Sequence, residues 1–480
     1  MSVPEIPVLR IGAQGEAYES LEVQSIQSIG NKGEAVKVHF ANSGLVKRDM
    51  LDLKAARKAL RRIPCRELLG MVKEAGERFL HDTLPLGLHD EQSPDDYVRQ
   101  LSATSGLPVA LVRRNMGRLK IVFDEVETIL QGLSRGITPG ALDQGYGQQN
   151  GLPVSFVPST DALAVILPSN SPAVNALWIP SIAMQIPVIL KPGREEPWTP
   201  WRIIQAMIAS GVPKEAFGFY PTDHEGSNAI IRRVGRVMLF GDDRTVAKHA
   251  GDPRVEVHGT GRSKVLFGQD QIDDWEKHLG LLEESVSANS GRSCINASTI
   301  VVPRHADALA EALAQRLLAM EPKALDDESA RLSGFANPRF GEAISGMVDE
   351  GLKAPGARDV SVALRSTPRL IERDHMTYLQ PTVVRCDSLD HPLANTEFLF
   401  PYCAVVELPQ EQMLEQIGPS LVVTALTEDR EWIDDLLAYP AISRLNIGPH
   451  ATCHISWDQP HEGNLFEFLF ERRTVAFANA

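Results

Sequence analysis

The alternation of short apolar runs with helix-length stretches constrains the fold of this chain more than any other feature of its sequence. Continuous apolar runs at 162–167 and 186–190 are typical of parallel strands that are buried on both faces. A helix-length segment follows each run, and the pattern resumes with a predicted strand at 299–302 and a predicted helix at 306–320. Strands and helices in such alternation predict a doubly wound α/β fold.

Composition excludes several classes of protein. With 480 residues, of which 43% are hydrophobic, the chain can form two or three domains with cores of their own. The formal net charge of −14 gives no reason to expect a nucleic-acid partner. The apolar runs are too short to span a membrane, and the N-terminus lacks the basic and apolar pattern of a signal peptide. The expected location is therefore cytoplasmic.

The five cysteines are odd in number, widely spaced and free of any Cys-x-x-Cys pair. This spacing argues against a disulfide framework and against a zinc site, so we predict no metal. Cys294 follows the run Asn-Ser-Gly-Arg-Ser, which would leave a thiol accessible. A thiolate there could attack a carbonyl or thioester carbon and hold the product covalently. Because free cysteines are usually small buried hydrophobes, this hypothesis depends on the segments around Cys294.

Several segments, taken in order, resemble those of the aldehyde dehydrogenase superfamily. They cover roughly residues 150–480, whereas residues 1–130 show no clear match. The segments are Leu-Pro-Ser-Asn-Ser-Pro at 167–172, Leu-Lys-Pro at 190–192, Gly-Val-Pro at 211–213, Asn-x-Gly-x-x-Cys at 289–294, Gln-Pro-Thr at 380–382, Glu-Phe-Leu-Phe-Pro at 397–401 and Glu-Arg-Arg-Thr-Val-Ala-Phe at 471–477. Gly-Asp-Asp at 241–243 also resembles the fatty acyl-CoA reductases of bacterial luminescence, although its two acids are better explained as caps of a helix.

The resemblance implies two doubly wound α/β domains and a small β oligomerisation arm, and hence a homodimer or homotetramer. We divide the chain accordingly into an N-terminal β arm and helices at 1–135, oligomerisation strands at 136–157 and 470–480, an NAD(P)-binding domain at 158–285, a catalytic domain with the nucleophilic cysteine at 286–445, and a substrate-entrance loop at 446–469.

The resemblance also implies a site for thioester chemistry. Cys294 would form a thiohemiacetal with an aldehyde or a thioester with an acyl donor, and Asn170 would help the Cys294 backbone amide to stabilise the oxyanion. The bound carbon would exchange a hydride with NAD or NADP. The expected cofactor-binding residues are Pro168, Ser169, Lys191, Arg194, Gly241, Gly259, Glu397 and Leu399.

His258 stands where the family has the glutamate that activates the hydrolytic water. Without a base a thioester hydrolyses slowly, and coenzyme A could intercept it, so the favoured prediction is a CoA-acylating aldehyde dehydrogenase or acyl-CoA reductase. The alternative is hydrolysis of the thioester to a carboxylic acid with His258 as the base, since imidazole titrates near neutrality. Glu256 would serve as the base only if the alignment shifted by two residues. A third possibility is an inactive family member that acts as a scaffold.

Arg194 stands where NAD-preferring members of the family have an acid that binds the adenosine ribose. An arginine near Lys191 would suit the 2′-phosphate of NADP, so NADP is the favoured cofactor. Glu195 and Glu196 follow at once, and a one-residue shift would restore NAD binding. The predicted small-molecule substrate is an aldehyde or an acyl-CoA.

Overall fold

The structure is a computed structural model of the chain and describes residues 3–12, 15–30, 32–476 and 478. The α-helices are α1 (Ser43–Asp49), α2 (Leu53–Leu60), α3 (Cys65–His81), α4 (Pro94–Ser105), α5 (Val109–Asp124), α6 (Val126–Ser134), α7 (Pro139–Gln144), α8 (Ile179–Ala183), α9 (Trp198–Ala209), α10 (His224–Arg233), α11 (Asp243–His249), α12 (Leu279–Ser287), α13 (Ala306–Leu317), α14 (Pro338–Gly351), α15 (Gln410–Gln416), α16 (Arg430–Ala438) and α17 (Leu465–Leu469). In the part of the chain described, none of these helices is both long and apolar enough to cross a membrane.

The strands are β1 (Glu5–Ile6), β2 (Val8–Leu9), β3 (Ala17–Tyr18), β4 (Val23–Gln27), β5 (Glu34–His39), β6 (Leu84–Leu86), β7 (Asp90–Gln92), β8 (Tyr146–Gln149), β9 (Leu152–Pro158), β10 (Leu163–Ile166), β11 (Val188–Lys191), β12 (Phe217–Phe219), β13 (Arg236–Phe240), β14 (Val255–His258), β15 (Ser263–Phe267), β16 (Ala297–Val302), β17 (Ala357–Asp359), β18 (Leu370–Arg373), β19 (Met376–Leu379), β20 (Thr382–Cys386), β21 (Tyr402–Glu407), β22 (Ser420–Leu426), β23 (Ile442–Ile447) and β24 (Phe470–Arg473).

The chain divides into two compact units. Unit 1 comprises residues up to 104, residues 112–258 and residues from 456, and unit 2 comprises 105–111 and 259–455. The predicted cofactor domain ends at residue 285, whereas the last strand of the first parallel sheet along the chain is β14. The next strand, β15, pairs in parallel with β16 and β22 and so belongs to the second sheet. An apolar run does not reveal its partner strands, so the sequence alone could not assign β15.

The main sheet of unit 1 has the strand order β14-β13-β10-β11-β12-β2-β3. The first five of these strands run parallel. At one edge β2 pairs antiparallel with β12, and β3 pairs antiparallel with β2. The chain proceeds from β10 to β12 on one side of β10 and continues with β13 on its other side. The strand order therefore reverses between β10 and β13, and ligands of doubly wound sheets bind beyond the carboxyl ends of the strands at such a reversal.

A buried arginine joins the helical part of unit 1 to the helix α9. The side chain of Arg202 is fully buried, and its guanidinium donates hydrogen bonds to the backbone carbonyl groups of Phe79, Asp82 and Gln92 at 2.7–2.9 Å. The last turn of a helix leaves carbonyl groups unpaired, so Arg202 satisfies the end of α3 while tying it to α9. Burial lowers the pKa of Arg202 to about 10, which leaves it charged at neutral pH.

A small antiparallel sheet in unit 1 has the strand order β24-β9-β8. It contains two of the segments that the sequence analysis assigned to oligomerisation, with Phe470 opposite Pro158 and Arg473 opposite Ser155. Within the segment predicted at 470–480, β24 ends at Arg473, residues 474–476 lie outside any strand, and Phe477 lies outside the described residues. That this sheet pairs with a second copy of the chain stays a prediction.

The main sheet of unit 2 has the strand order β17-β20-β21-β16-β15-β22-β23. Its strands run parallel except β17, which is antiparallel to β20. Every residue of β15, β16 and β22 is buried, as expected for parallel strands covered on both faces. With two mainly parallel sheets, the predicted α/β class is confirmed.

Candidate active site

The residues before Cys294 form a turn with a left-handed backbone. Asn289, Ser290 and Gly291 have φ values of 53°, 61° and 65°, a region that glycine adopts freely and that costs serine free energy. Ser290 Oγ accepts a hydrogen bond from the Ser333 N–H at 2.8 Å. The Asn296 amide donates at 3.1 Å to each of two backbone carbonyl groups at the end of α12. The surrounding structure thus holds a strained backbone in place, which is typical of functional loops.

Cys294 follows this turn and is half-buried, whereas the other four cysteines are buried. Burial raises the pKa of the Cys65, Cys386 and Cys403 thiols, which disfavours their reactive thiolate form. The Cys294 carbonyl accepts a hydrogen bond from Ser263 Oγ at 2.9 Å, which fixes the backbone next to the thiol. Exposure therefore distinguishes Cys294 from the other cysteines in the way that the nucleophile prediction requires.

The segment between β14 and β15 supports both Cys294 and Glu397. A Cβ atom at Gly261 would overlap the Cys294 carbonyl oxygen and would lie 2.8 Å from the carbonyl carbon. The next residue, Arg262, donates its backbone N–H to Glu397 Oε2 at 2.9 Å. Gly259, at the start of this segment, is half-buried. Two consecutive residues of unit 2 therefore contact the two predicted groups: Gly261 contacts the predicted nucleophile, and Arg262 contacts the predicted ribose-binding carboxylate.

A buried lysine in β15 anchors the segment between β14 and β15 to the second sheet. Lys264 Nζ donates to the Arg262 carbonyl at 2.8 Å and to Ser420 Oγ at 2.9 Å. Burial lowers the pKa of Lys264 to about 8; the charge of Arg262 lowers it further, and that of Glu397 opposes the shift. Two hydrogen bonds thus satisfy a side chain that would otherwise be costly to bury.

The segment that carries Glu397 and Leu399 is anchored by aromatic side chains. Phe398 and Phe400 are buried, whereas Glu397 and Leu399 are half-buried. A Cβ atom at Gly291, in the turn before Cys294, would lie 2.5 Å from the Phe400 carbonyl carbon. The turn at 289–291 and the 397–400 segment therefore pack backbone against backbone.

In unit 1 the predicted cofactor residues after β10 and β11 lie side by side. The Glu195 N–H donates to Ser169 Oγ at 3.2 Å. At Gly193 the two segments approach so closely that a Cβ atom would lie 2.5 Å from the Pro168 carbonyl oxygen. Asn170, the predicted oxyanion donor, follows Ser169 and is half-buried.

Charged residues after β11 differ in burial. Arg194 is exposed, Glu195 is half-buried and Glu196 is buried. Glu196 accepts a hydrogen bond from the Thr199 N–H at 2.9 Å, and burial raises its pKa to about 8, against the effect of the Thr199 hydrogen bonds. Burial lowers the pKa of the half-buried Lys191, and the charge of Glu195 opposes this shift. Glu196 is therefore held in the core, and the alternatives for ribose recognition narrow to Arg194 and Glu195.

Gly241 follows β13, on the other side of the strand reversal. Its N–H donates to the His258 carbonyl at 3.1 Å, and a Cβ atom there would lie 2.7 Å from Thr245 Cβ. Asp242 Oδ1 accepts hydrogen bonds from the Thr245 N–H at 2.9 Å and the Thr245 hydroxyl at 2.7 Å. Asp242 is the N-cap of α11, as the sequence analysis favoured.

His258 ends β14 with its imidazole stacked on Phe240, the ring centroids being 4.6 Å apart and the planes inclined by 17°. Its Nδ1 lies 2.9 Å from Glu462 Oε2, without the alignment of a hydrogen bond. Its Nε2 is buried and has no hydrogen-bond partner among the described residues. Burial raises the pKa of Glu256, two residues earlier; the nearby His258 lowers it and Glu462 raises it.

Sequence reasoning missed Glu462. It lies in the irregular segment between β23 and α17, and no local pattern distinguishes it from other acidic residues. Only the folded chain brings its carboxylate to His258.

Unit 1 fits a dinucleotide at the carboxyl ends of its parallel strands. A close backbone approach at Gly193 and a close contact of Gly241 with the Thr245 side chain lie on the two sides of the strand reversal, and Lys191 adds a cation there, which matches the requirements of a phosphate-bearing ligand. Within the described ranges, no group of three histidine, cysteine, aspartate or glutamate side chains is arranged to hold a metal ion.

Comparisons with known proteins place the chain in a family. The profile described as the aldehyde dehydrogenase family matches residues 91–417. A betaine aldehyde dehydrogenase from Sinorhizobium fredii (strain NBRC 101917 / NGR234) is 25% identical over 252 residues, which cover 50% of each chain. The chain thus spans about half the length of the curated relatives it matches.

Solved structures share the fold over nearly the whole chain. The aldehyde dehydrogenase KauB from Pseudomonas aeruginosa is 15% identical with a TM-score of 0.79, covering 98% of this chain and 96% of that chain. An indole-3-acetaldehyde dehydrogenase solved with NAD+ is 16% identical with a TM-score of 0.77 and the same coverage. Because the family profile matches more than half of the residues, this chain belongs to the aldehyde dehydrogenase family.

Proposed function

We propose that this protein is an NAD(P)-dependent oxidoreductase that converts an aldehyde into an acyl group held as a thioester on Cys294. The single observation that carries the proposal is the half-buried thiol at the end of a strained, hydrogen-bonded turn. The thiolate attacks the carbonyl carbon, and the carbonyl oxygen becomes an oxyanion. When bound, an oxidised nicotinamide dinucleotide supplies the acceptor for the hydride that leaves the tetrahedral carbon.

Asn170 and the Cys294 backbone amide are proposed to stabilise the oxyanion. An amide side chain offers N–H donors without carrying a charge, and removal of one such donor typically raises a barrier by about 3 kcal/mol. The half-buried position of Asn170, after β10, is compatible with this role.

The dinucleotide is proposed to be held by the residues predicted from the family resemblance. In unit 1 these are Pro168, Ser169, Lys191, Arg194 and Gly241. In unit 2, Gly259, Glu397 and Leu399 would contact the nicotinamide end. The close approaches at Gly193 and Gly241 support the first group, and the hydrogen bond from Arg262 to Glu397 supports the second.

The exposed Arg194 leads us to propose NADP as the preferred dinucleotide. We expect Arg194→Glu to lower kcat/KM for NADP+ by about tenfold or more, since the variant loses a charged hydrogen bond to the 2′-phosphate. The value for NAD+ should change little. Steady-state kinetics with both cofactors measures this, and Arg233→Glu, at an exposed arginine in α10, is the control. A strong NAD+ preference in the unmodified protein would contradict the proposal.

Transfer of the acyl group to coenzyme A is the second candidate. It is favoured by the replacement of the family's glutamate by His258. Hydrolysis to a carboxylic acid is the first candidate for the fate of the thioester, because the contact between His258 and Glu462 favours it.

Incubation of the protein with an aldehyde and NAD(P)+, with and without coenzyme A, tests the proposal. We expect reduced cofactor to form at similar rates in both reactions, with carboxylic acid as the product. Turnover that requires coenzyme A would support acyl transfer instead. An absence of turnover with a panel of aldehydes, and of the reverse reaction from an acyl-CoA, would support the inactive scaffold and overturn the proposed function.

A further inference from the structure

The hydroxyl of Thr104, near the end of α4, connects this helix to the loop after β11. Thr104 is 1% exposed, and its Oγ1 lies 2.7 Å from the Glu195 carbonyl oxygen. The carbonyl oxygens of Gln100 and Leu101, in its own helix, are farther away, at 3.3 and 3.5 Å. A threonine hydroxyl carries a single hydrogen, and in a helix it commonly donates to a carbonyl of the preceding turn. The distances indicate that Thr104 donates to the loop instead.

The same hydroxyl accepts a hydrogen bond from the indole Nε1–H of Trp198 at 2.9 Å. Trp198 begins α9 and is fully buried, and a buried indole N–H usually has such a partner. Thr104 therefore joins three parts of unit 1 at one oxygen atom: α4, the loop between β11 and α9, and α9 itself.

The loop that Thr104 holds carries the two candidates for ribose recognition. Arg194 and Glu195 lie in the middle of a turn, which the Glu196 N–H closes on the Gly193 carbonyl at 3.4 Å. Arg194 is exposed and Glu195 is half-buried, whereas Glu196 is buried. Because Glu196 is held in the core, the side chains available to a dinucleotide are the two in the middle of the turn.

Two hydroxyl groups fix the backbone of Glu195 from its two ends. Its N–H donates to Ser169 Oγ at 3.2 Å, and its carbonyl accepts from Thr104 Oγ1 at 2.7 Å. Each peptide group is planar, so the chain rotates at Glu195 only through φ and ψ, between two planes. A hydrogen bond to each plane restricts both angles and with them the direction of the Glu195 side chain. Since the first plane also contains the Arg194 carbonyl, the position of Arg194 depends on the same contacts.

We propose that Thr104 is a positioning residue that sets the discrimination between NADP and NAD by fixing the backbone of the Arg194–Glu195 turn. This inference rests on the proposed function. A 2′-phosphate requires a cation and a pair of ribose hydroxyl groups requires an acceptor, so the arrangement of these two charged side chains decides which dinucleotide binds better. Without the Thr104 hydrogen bond the Glu195 peptide can rotate, and the turn no longer holds one arrangement of the two charges.

Thr104→Val tests the proposal, because valine keeps the shape of threonine and lacks the hydroxyl. Titration calorimetry with NADPH and with NADH measures the binding of each dinucleotide without turnover. We expect the dinucleotide that the unmodified protein prefers to bind the variant about threefold to tenfold more weakly, which is the usual effect of one hydrogen bond. The other dinucleotide should lose less affinity, so that the ratio of the two dissociation constants moves towards one.

Two further variants control for effects on packing and stability. Thr104→Ser keeps the hydroxyl and should retain the ratio of the unmodified protein. Thr160→Val is the matched control, because Thr160 is also buried and its hydroxyl donates to the Ala162 carbonyl at 2.6 Å. Thr160 precedes the amino end of β10, whereas the dinucleotide is proposed to bind at the carboxyl ends of the strands. Its substitution should leave the ratio unchanged.

A double variant keeps the test valid if the single variant fails to fold. Thr104→Val leaves the buried indole N–H of Trp198 without its partner, which lowers stability. Adding Trp198→Phe removes that N–H, so the double variant isolates the loss of the bond to Glu195. Thermal melting measures the stability of each variant, and the folded double variant should show the same change in the ratio.

The outcomes separate this inference from the proposed function. An unchanged ratio in folded Thr104→Val or in the folded double variant overturns the role of Thr104, whether both affinities stay the same or fall equally. A change that Thr104→Ser shares, or that Thr160→Val reproduces, also overturns it, because the effect would then come from packing. Equal binding of both dinucleotides by the unmodified protein overturns it too, since no discrimination would exist. If the unmodified protein binds neither NADPH nor NADH, the proposed function itself fails.

Discussion

Replacing Cys294 by alanine should abolish aldehyde oxidation while leaving the fold intact. We expect turnover to fall by at least about a thousandfold, because loss of a covalent nucleophile removes the intermediate on which every later step depends. The side chain is half-buried and small, so the substitution creates little cavity. Reduced-cofactor formation measures the rate, and intact mass after incubation with p-nitrophenyl acetate measures acylation.

Cys65→Ala is the control for this prediction. Cys65 is buried at the start of α3, so its removal should cost some stability and leave turnover unchanged. If the Cys294 variant oxidises aldehydes at the normal rate, the thioester mechanism is wrong.

Gly261→Ala should cause the second-largest loss of activity. The added Cβ would overlap the Cys294 carbonyl oxygen, and the clash is with backbone, which a flexible side chain cannot relieve. The thiol must then move with its backbone. A displacement of about 1 Å at a reacting group can cost 10²-fold in rate, so we expect kcat to fall by about a hundredfold.

A second glycine in unit 2 controls for the loss of backbone freedom. Gly280 lies at an exposed position of α12, and a Cβ there meets nothing within 4 Å. Gly280→Ala should therefore leave kcat unchanged and stabilise the helix slightly. Circular dichroism and thermal melting of both variants would show whether Gly261→Ala remains folded. A folded Gly261→Ala with normal kcat would mean that the position of the Cys294 backbone does not limit the reaction.

The fold class and several elements could be predicted because their signals are local. The strand predicted at 299–302 lies within β16, and the helix predicted at 306–320 begins with α13 at Ala306. The partner strands of β15 could not be predicted, since they depend on packing between segments far apart in the chain. The same limit explains why the predicted cofactor domain at 158–285 includes β15.

The candidate site was predictable to a similar extent. Cys294 stood out by its position in a motif, and burial now distinguishes it from the other cysteines. A residue whose importance depends on a tertiary contact cannot be recognised from the sequence. Glu462 is such a residue, because it contacts His258 only in the folded chain. Glu196 remained an alternative for ribose recognition until its burial became known, because the sequence does not show which of two adjacent carboxylates faces the core.

The short segment 259–262, which connects the last strand of the first parallel sheet to β15 of the second, has a kinetic consequence. We call this segment the crossing. Gly261 packs against the carbonyl of Cys294, the proposed nucleophile, and the N–H of the adjacent Arg262 donates to Glu397, the carboxylate proposed to bind the nicotinamide ribose. A shift of this backbone alters chemistry and coenzyme affinity together, much as hinge substitutions change kcat and KM together. If the proposed roles hold, selection for a different coenzyme through this crossing would therefore carry a penalty in turnover.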